Sequence, residues 1–287
     1  MNKFFKKLLY TSLISICLVK VEKIKAVVPY YYLPTQKNLE KESLSIGKYA
    51  YQLLYFGQIK EALNISKLSV KINKSEEKLW LILSEAQMAN KLYEDALISL
   101  KKAENINSNI SEIYFAKSNI YMQKSQLKNA KIALEAGLRI EPNNHKAIFQ
   151  LGNIFLMEKD YSSAIDFFNK SVKIKPDFWQ ATNNKGLAYF ELDKKNLSIN
   201  FFEEAISIEE NAEPLLGLAS CLIAKDPNTA LALAKKALIK DPNYVDYDYR
   251  KEQLWGEKLQ NSTEQLLKNE ELSKAIKLAK SKINKIS

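Results

Sequence analysis

At 287 residues, with 46% hydrophobic and 26% charged side chains, the chain is too apolar for disorder and too charged for an integral membrane protein. Its formal net charge of +10 raises nucleic acid or anionic lipid as partners, but half of that charge sits in the first 26 residues, which hold six Lys and one Glu. The only arginines are Arg139 and Arg250. Nucleic-acid readers lean on Arg for bidentate contacts, so the lysines are expected on solvated surface and no nucleic-acid partner is expected.

Residues 1–26 read as a targeting leader. Lys3, Lys6 and Lys7 precede a mostly apolar run from Leu8 to Val19, shorter than the roughly 20 residues that span a bilayer. A signal peptide cut after Ala26 is expected. The charged approach through Lys20, Glu22, Lys23 and Lys25, with Ile24 where a small residue is wanted, leaves an uncleaved signal anchor as the alternative. Ile16 before Cys17 argues against lipid attachment. Without the leader Cys221 stands alone, so no internal disulfide is available.

Residues 27–42, with Pro29, Tyr30, Tyr31, Tyr32 and Pro34, predict an extended segment that lies as a lid over the first repeat or serves as a docking strip. A 34-residue frame then starts at Ser43, Glu77, Ser111, His145 and Trp179, predicting units at 43–76, 77–110, 111–144, 145–178 and 179–212. A sixth unit, 213–244, is expected to be about two residues short in its inter-helix turn. The eighth place of each unit is small: Ala50, Ser84, Ser118, Gly152, Gly186 and Ser220. So is the place twelve residues later, at Ala62, Ala96, Ala130, Ala164 and Ser198, and a third set follows at Ser69, Ala103, Gly137, Ser171 and Ala205. Small side chains recur where two helices touch, because a larger one costs about 1–3 kcal/mol in overpacking. Gly137, inside a predicted helix, implies a close neighbour, since glycine there costs about 1 kcal/mol against alanine.

Larger residues at spacings of three, four and seven mark the apolar faces: Ile46, Trp80, Tyr114 and Ile148 on first helices; Leu100, Leu134, Phe168 and Phe202 on second ones. Turns are predicted at Tyr55-Phe56-Gly57-Gln58 within the first unit and at Glu141-Pro142-Asn143-Asn144, Lys175-Pro176-Asp177 and Asp241-Pro242-Asn243 between units. Residues 245–287 leave the frame. Leu254, Trp255, Leu259, Leu266 and Leu267 anchor them, the rest is polar, and Lys274, Lys277, Lys280 and Lys282 form a basic stripe, as expected of capping helices with one face in water.

Ile148, Leu151, Gly152, Phe155, Ala164, Phe168 and Pro176 fall at the spacings of the tetratricopeptide repeat, and residues 43–244 resemble an array of such repeats. Leu44-Ser45-Ile46-Gly47, Phe178-Trp179-Gln180-Ala181, Asn243-Tyr244-Val245-Asp246 and Gln253-Leu254-Trp255-Gly256 resemble segments of exported cyanobacterial proteins of this kind. The resemblance implies an all-α, right-handed solenoid of about six antiparallel helix pairs with C-terminal capping helices. It also implies binding of peptides or proteins, including membrane-complex subunits, on the concave wall of the first helices. With the leader it implies a periplasmic or thylakoid-lumenal location and a role in assembling or maintaining an envelope or thylakoid complex.

The positions resembling groove residues of the family are the fifth, ninth, twelfth and thirteenth of each unit. They give a candidate site of Glu85, Met88, Phe115, Asn119, Met122, Phe149, Asn153, Met157, Asn183 and Phe190. Amides there can both donate to and accept from a peptide backbone, while Phe and Met take apolar side chains. Phe115 and Phe149 equally suit a space-filling role between units. Phe stands where chaperone-binding relatives carry the leading Lys of a carboxylate clamp, so terminal-carboxylate capture is not expected.

No catalysis, metal, cofactor or small-molecule substrate is expected. His145, the one histidine, has no second histidine to share a metal and is expected on the surface. The sequence holds no phosphate loop, HExxH pair or nucleophile elbow, and the acidic pairs Glu203-Glu204 and Glu209-Glu210 are expected in solvent. Two rivals stay open: a helical-repeat RNA-binding protein, whose 35-residue repeat the constant 34-residue step disfavours, and a purely structural or oligomerisation element whose groove is filled by its own tyrosine strip.

Overall fold

The computed structural model describes residues 35–284. Two compact units divide the chain between Leu39 and Glu40. Of the first, the described part is residues 35–39, where Thr35 Oγ1 accepts the backbone N–H of Asn38 at 3.3 Å and caps a helix start. The second unit is all-α. The helices are α1 (Gln36–Tyr55), α2 (Ile59–Ile72), α3 (Glu77–Ala89), α4 (Tyr93–Ile106), α5 (Ser111–Gln123), α6 (Leu127–Ile140), α7 (His145–Met157), α8 (Tyr161–Ile174), α9 (Trp179–Glu191), α10 (Lys195–Ile208), α11 (Ala212–Leu222) and α12 (Pro227–Lys240). After a 3₁₀ turn at Pro242–Val245 come α13 (Tyr247–Glu252), α14 (Glu257–Leu267), a second 3₁₀ turn at Glu270–Leu272, and α15 (Ser273–Ile283).

From α3 onward each first helix packs on its own second helix, and each second helix packs on the first helix of the next pair, the arrangement of a solenoid. The contact surface is where the small residues recur. Ala62, Ala96, Ala130, Ala164 and Ser198 are buried, as are Ala50, Ser84, Ser118 and Ser220 at the eighth place. The crossing is close enough in α9 and α10 for Ser198 Oγ to donate to the carbonyl of Gly186 at 2.8 Å. A Cβ added to Gly186 would press on the ring of Phe202.

Two sequence expectations need correction. Residues 36–42 are helical, not extended, because Gln36 to Glu42 are mostly strong helix formers with neither proline nor glycine among them. Residues 27–34, which carry the tyrosine strip, lie outside the described residues. In the sixth pair the shortening is in the helix and not in the turn: α11 has 11 residues where α9 has 13. Pro227 fixes the start of α12, and the Asp226 side chain before it accepts the Thr229 backbone N–H as its cap.

A second periodicity emerges in the backbone. Gly57, Lys91, Ser125, Lys159 and Asp193, each 34 residues from the next, all have positive φ, between 56° and 74°. Each ends a first helix by the same pair of bonds, as in Lys91 N–H to the Met88 carbonyl at 2.9 Å and Leu92 N–H to the Gln87 carbonyl at 2.8 Å. The left-handed residue turns the chain sharply enough for the second helix to fold back.

Nothing lies within 4 Å of where a Cβ would stand at Gly57, so substitution there isolates the conformational cost. Gly57→Ala should lower stability by about 1 kcal/mol, while Lys159→Gly should raise it by up to about 1 kcal/mol; urea unfolding of the two variants measures both.

Candidate binding groove

The first helices α3, α5, α7, α9 and α11 neighbour one another along one face. Half of the residues expected there come together. Glu85, Met88, Asn119, Met122 and Asn153 line a hollow of about 560 Å³ between α3, α5 and α7, with Gln123 and Gln150 beside them and Lys91 and Tyr93 at the α3–α4 turn. Met157 lies instead in a neighbouring hollow of about 450 Å³, shared with Leu254, Trp255 and Gly256 of the C-terminal segment.

The aromatic members are used for packing. The Phe115 ring fills the space where Gly137 of α6 would carry a Cβ, which identifies the close neighbour that its glycine implied. Phe149 packs against Phe168 at 5.6 Å and Phe178 at 5.1 Å between ring centroids. Asn183 and Phe190, expected in the wall, are 0% and 3% exposed and cannot meet a ligand in this state.

Their burial has a physical cause in the C-terminal segment. Helix α14 packs across α9 and α11, on the same face that α3, α5 and α7 leave open. Glu191, at the end of α9, accepts the backbone N–H of Leu259 at 3.0 Å and of Lys258 at 3.3 Å, capping the α14 N-terminus. Gly256 is required there, since any Cβ would collide with the Glu191 carboxylate. Trp255 Nε1 donates to Glu213 Oε1 at 3.1 Å, and Ser220 Oγ and Thr263 Oγ1 are hydrogen-bonded at 2.7 Å. Arg250, fully buried, donates to Gln260 Oε1 and to the Tyr244 carbonyl and pairs with Glu264, locking α13 to α14. The far end of the face is thus closed by the C-terminal segment, and α15 forms the outer cap against α12.

Across the open part the amides form a ladder. Gln150 Nε2 donates to Asn119 Oδ1 at 2.8 Å, and Asn184 Nδ2 donates to Asn153 Oδ1 at 2.8 Å, each over a separation of 31 residues. Buried Asn183 in turn donates to Asn184 Oδ1 at 3.1 Å. Because the oxygens of Asn119 and Asn153 are engaged, their Nδ2 hydrogens are what the groove presents. Gln150 and Asn184 were not among the expected residues, although their 34-residue spacing could have drawn attention to them.

Glu85 takes the same repeat position as Asn119 and Asn153, and burial raises its carboxyl above the ordinary carboxylate range. His145 is not a free surface histidine: it meets Phe178 edge-on at 5.0 Å between ring centroids, its Nε2 is buried without a partner, and burial lowers its pKa. Among the described residues no three His, Cys, Asp or Glu side chains gather as metal ligands, and no helix is long and apolar enough to cross a membrane.

With the geometry in hand, comparison with known proteins is direct. The family model for the tetratricopeptide repeat matches residues 111–144, 145–178 and 180–211. No curated protein matches the sequence. Among solved structures, PilF of Pseudomonas aeruginosa is similar with a TM-score of 0.64 and 14% identity, covering 75% of this chain and 98% of its own. MamA of Desulfovibrio magneticus RS-1 gives 0.54 at 19% identity, covering 61% and 97%. YrrB, a TPR protein with an unusual peptide-binding site, gives 0.50 at 18%, covering 66% and 94%. At these identities the likeness shows the fold.

Desolvation pushes the carboxyl of Glu213, at the centre of the closed region, up to about 7, against the hydrogen bonds it accepts from Trp255, Asn183 and Tyr244. Between its unfolded value of 4.5 and about 7 the folded chain holds a proton that the unfolded chain has released. Stability should therefore fall as pH rises through that window and level off above it, by on the order of 3 kcal/mol at most. Glu213→Gln should flatten the slope, measured by urea unfolding at about pH 5 and about pH 8.

Proposed function

We propose that this chain, which carries tetratricopeptide repeats at 111–144, 145–178 and 180–211, is a non-enzymatic scaffold binding peptide segments or protein partners in the hollow between α3, α5 and α7. One observation carries the reading: along a continuous face of first helices, the C-terminal segment covers α9 and α11 and leaves a hollow of about 560 Å³ open. That volume falls in the range of ligand sites.

The chemistry of the hollow suits an extended chain. Met88 and Met122, 34 residues apart, offer adaptable apolar walls, and the Asn119 and Asn153 amides offer donors to backbone carbonyls. YrrB, of similar fold, has a peptide-binding site of its own. Tetratricopeptide repeats typically serve as scaffolds and not as catalysts. Affinity is set near the micromolar level, about 8 kcal/mol, by the modest size of the open stretch.

The leader extends the proposal to a location and a role: export to a periplasm or thylakoid lumen, or tethering by an uncleaved anchor, and work in assembling or maintaining a membrane complex there. Asn119→Ala combined with Asn153→Ala tests the groove. Partner capture from the native membrane fraction should weaken about tenfold, while each lost inter-unit hydrogen bond costs only about 1 kcal/mol of stability. A collapse of the melting temperature with capture intact would contradict it.

A further inference from the structure

The amide ladder stops short of the second unit, and the polar group left there points to a ligand. In the third and fourth units the ninth residue is an amide, Asn119 or Asn153, whose oxygen is satisfied by Gln150 or Asn184 from the sixth place of the next unit. In the second unit the ninth residue is Glu85, and the residue 31 positions on is Ala116, which has no side-chain donor. Glu85 accordingly has no hydrogen bond or ion pair with any described residue, although it lines the hollow and is half-buried. Lys91 sits at the rim of the same hollow but does not pair with it.

A partly desolvated carboxylate without a partner loses hydration and gains nothing in return. An anion or an apolar group entering the hollow would make that worse, whereas an ammonium or guanidinium would supply the missing donors. Met88 and Met122 line the same hollow and offer the flexible apolar surface that the methylene stem of such a side chain requires, since long basic side chains bury their stems while the charge finds its own partner. Asn119 and Asn153 line the same hollow, and their amide N–H groups suit the carbonyls of the flanking backbone.

We infer that the hollow is a specificity pocket for one Lys or Arg side chain of an extended peptide segment, with Glu85 as its counter-ion. The inference rests on the groove being the binding face and names what it selects. In this reading Glu85 occupies the site of a missing internal hydrogen bond, and the ligand completes the ladder.

Methionine methyl NMR on the full chain separates the alternatives, because Met88 and Met122 report on the hollow and Met157 lies outside it. The probes are blocked alanine pentapeptides with Lys, Arg or norleucine at the centre. Lys and Arg peptides should shift Met88 and Met122 but not Met157, and the norleucine peptide should require about tenfold more. Glu85→Gln should erase that difference, whereas Lys91→Gln should not. Equal binding of norleucine and Lys by the native chain would overturn the inference alone, as would discrimination that survives in Glu85→Gln. If no peptide of any kind moves Met88 or Met122, the groove reading fails with it. The native-chain comparison decides even if Glu85→Gln does not fold.

Discussion

The structure depends on how closely the two helices of each unit approach. Ala, Ser or Gly at the eighth and twentieth places brings the backbones into contact, and a left-handed residue at the fifteenth place turns the chain back to make that contact possible. Once the approach is fixed, so is the step from one unit to the next. A constant step is what lets side chains 31 residues apart, such as Asn119 and Gln150, meet in the same way twice. The binding face is therefore a consequence of scaffold packing.

The repeats were legible in the sequence because their signal is steric: a position that tolerates only small side chains leaves a mark every 34 residues. The hollow was partly legible for the same reason, since Glu85, Met88, Asn119, Met122 and Asn153 hold positions that the frame defines. Phe115 and Phe149 hold such positions too, yet their rings fill the gaps left by Gly137 and beside Phe168 and Phe178, where packing density takes precedence over exposure. Of the left-handed turns only the one at Gly57 was legible, because the other four carry Lys, Ser or Asp in place of glycine.

What the periodicity could not reveal was the fate of the last units. Asn183 and Phe190 look like groove residues by register, but register says nothing about a segment that returns from outside the repeat. The evidence was dispersed over non-local pairs: Glu191 with the start of α14, Glu213 with Trp255, Ser220 with Thr263. Each unites residues more than 40 positions apart, and each is a polar group that burial would penalise if it had no partner. Polar residues in a first helix that are unusually buried, as Asn183, Glu191 and Glu213 are, mark a face that the chain itself covers.

The account therefore turns on a face divided into an open part and a self-covered part. Amide hydrogen exchange of α14 in the native chain and in Trp255→Ala tests the division most directly, because an isolated helix of this length is marginal in water and keeps its amides protected only while docked. The account predicts slow exchange in α14 natively, and loss of that protection in Trp255→Ala with α3, α5 and α7 unchanged. Fast exchange of α14 in the native chain, or protection unaffected by removal of the indole, would contradict it.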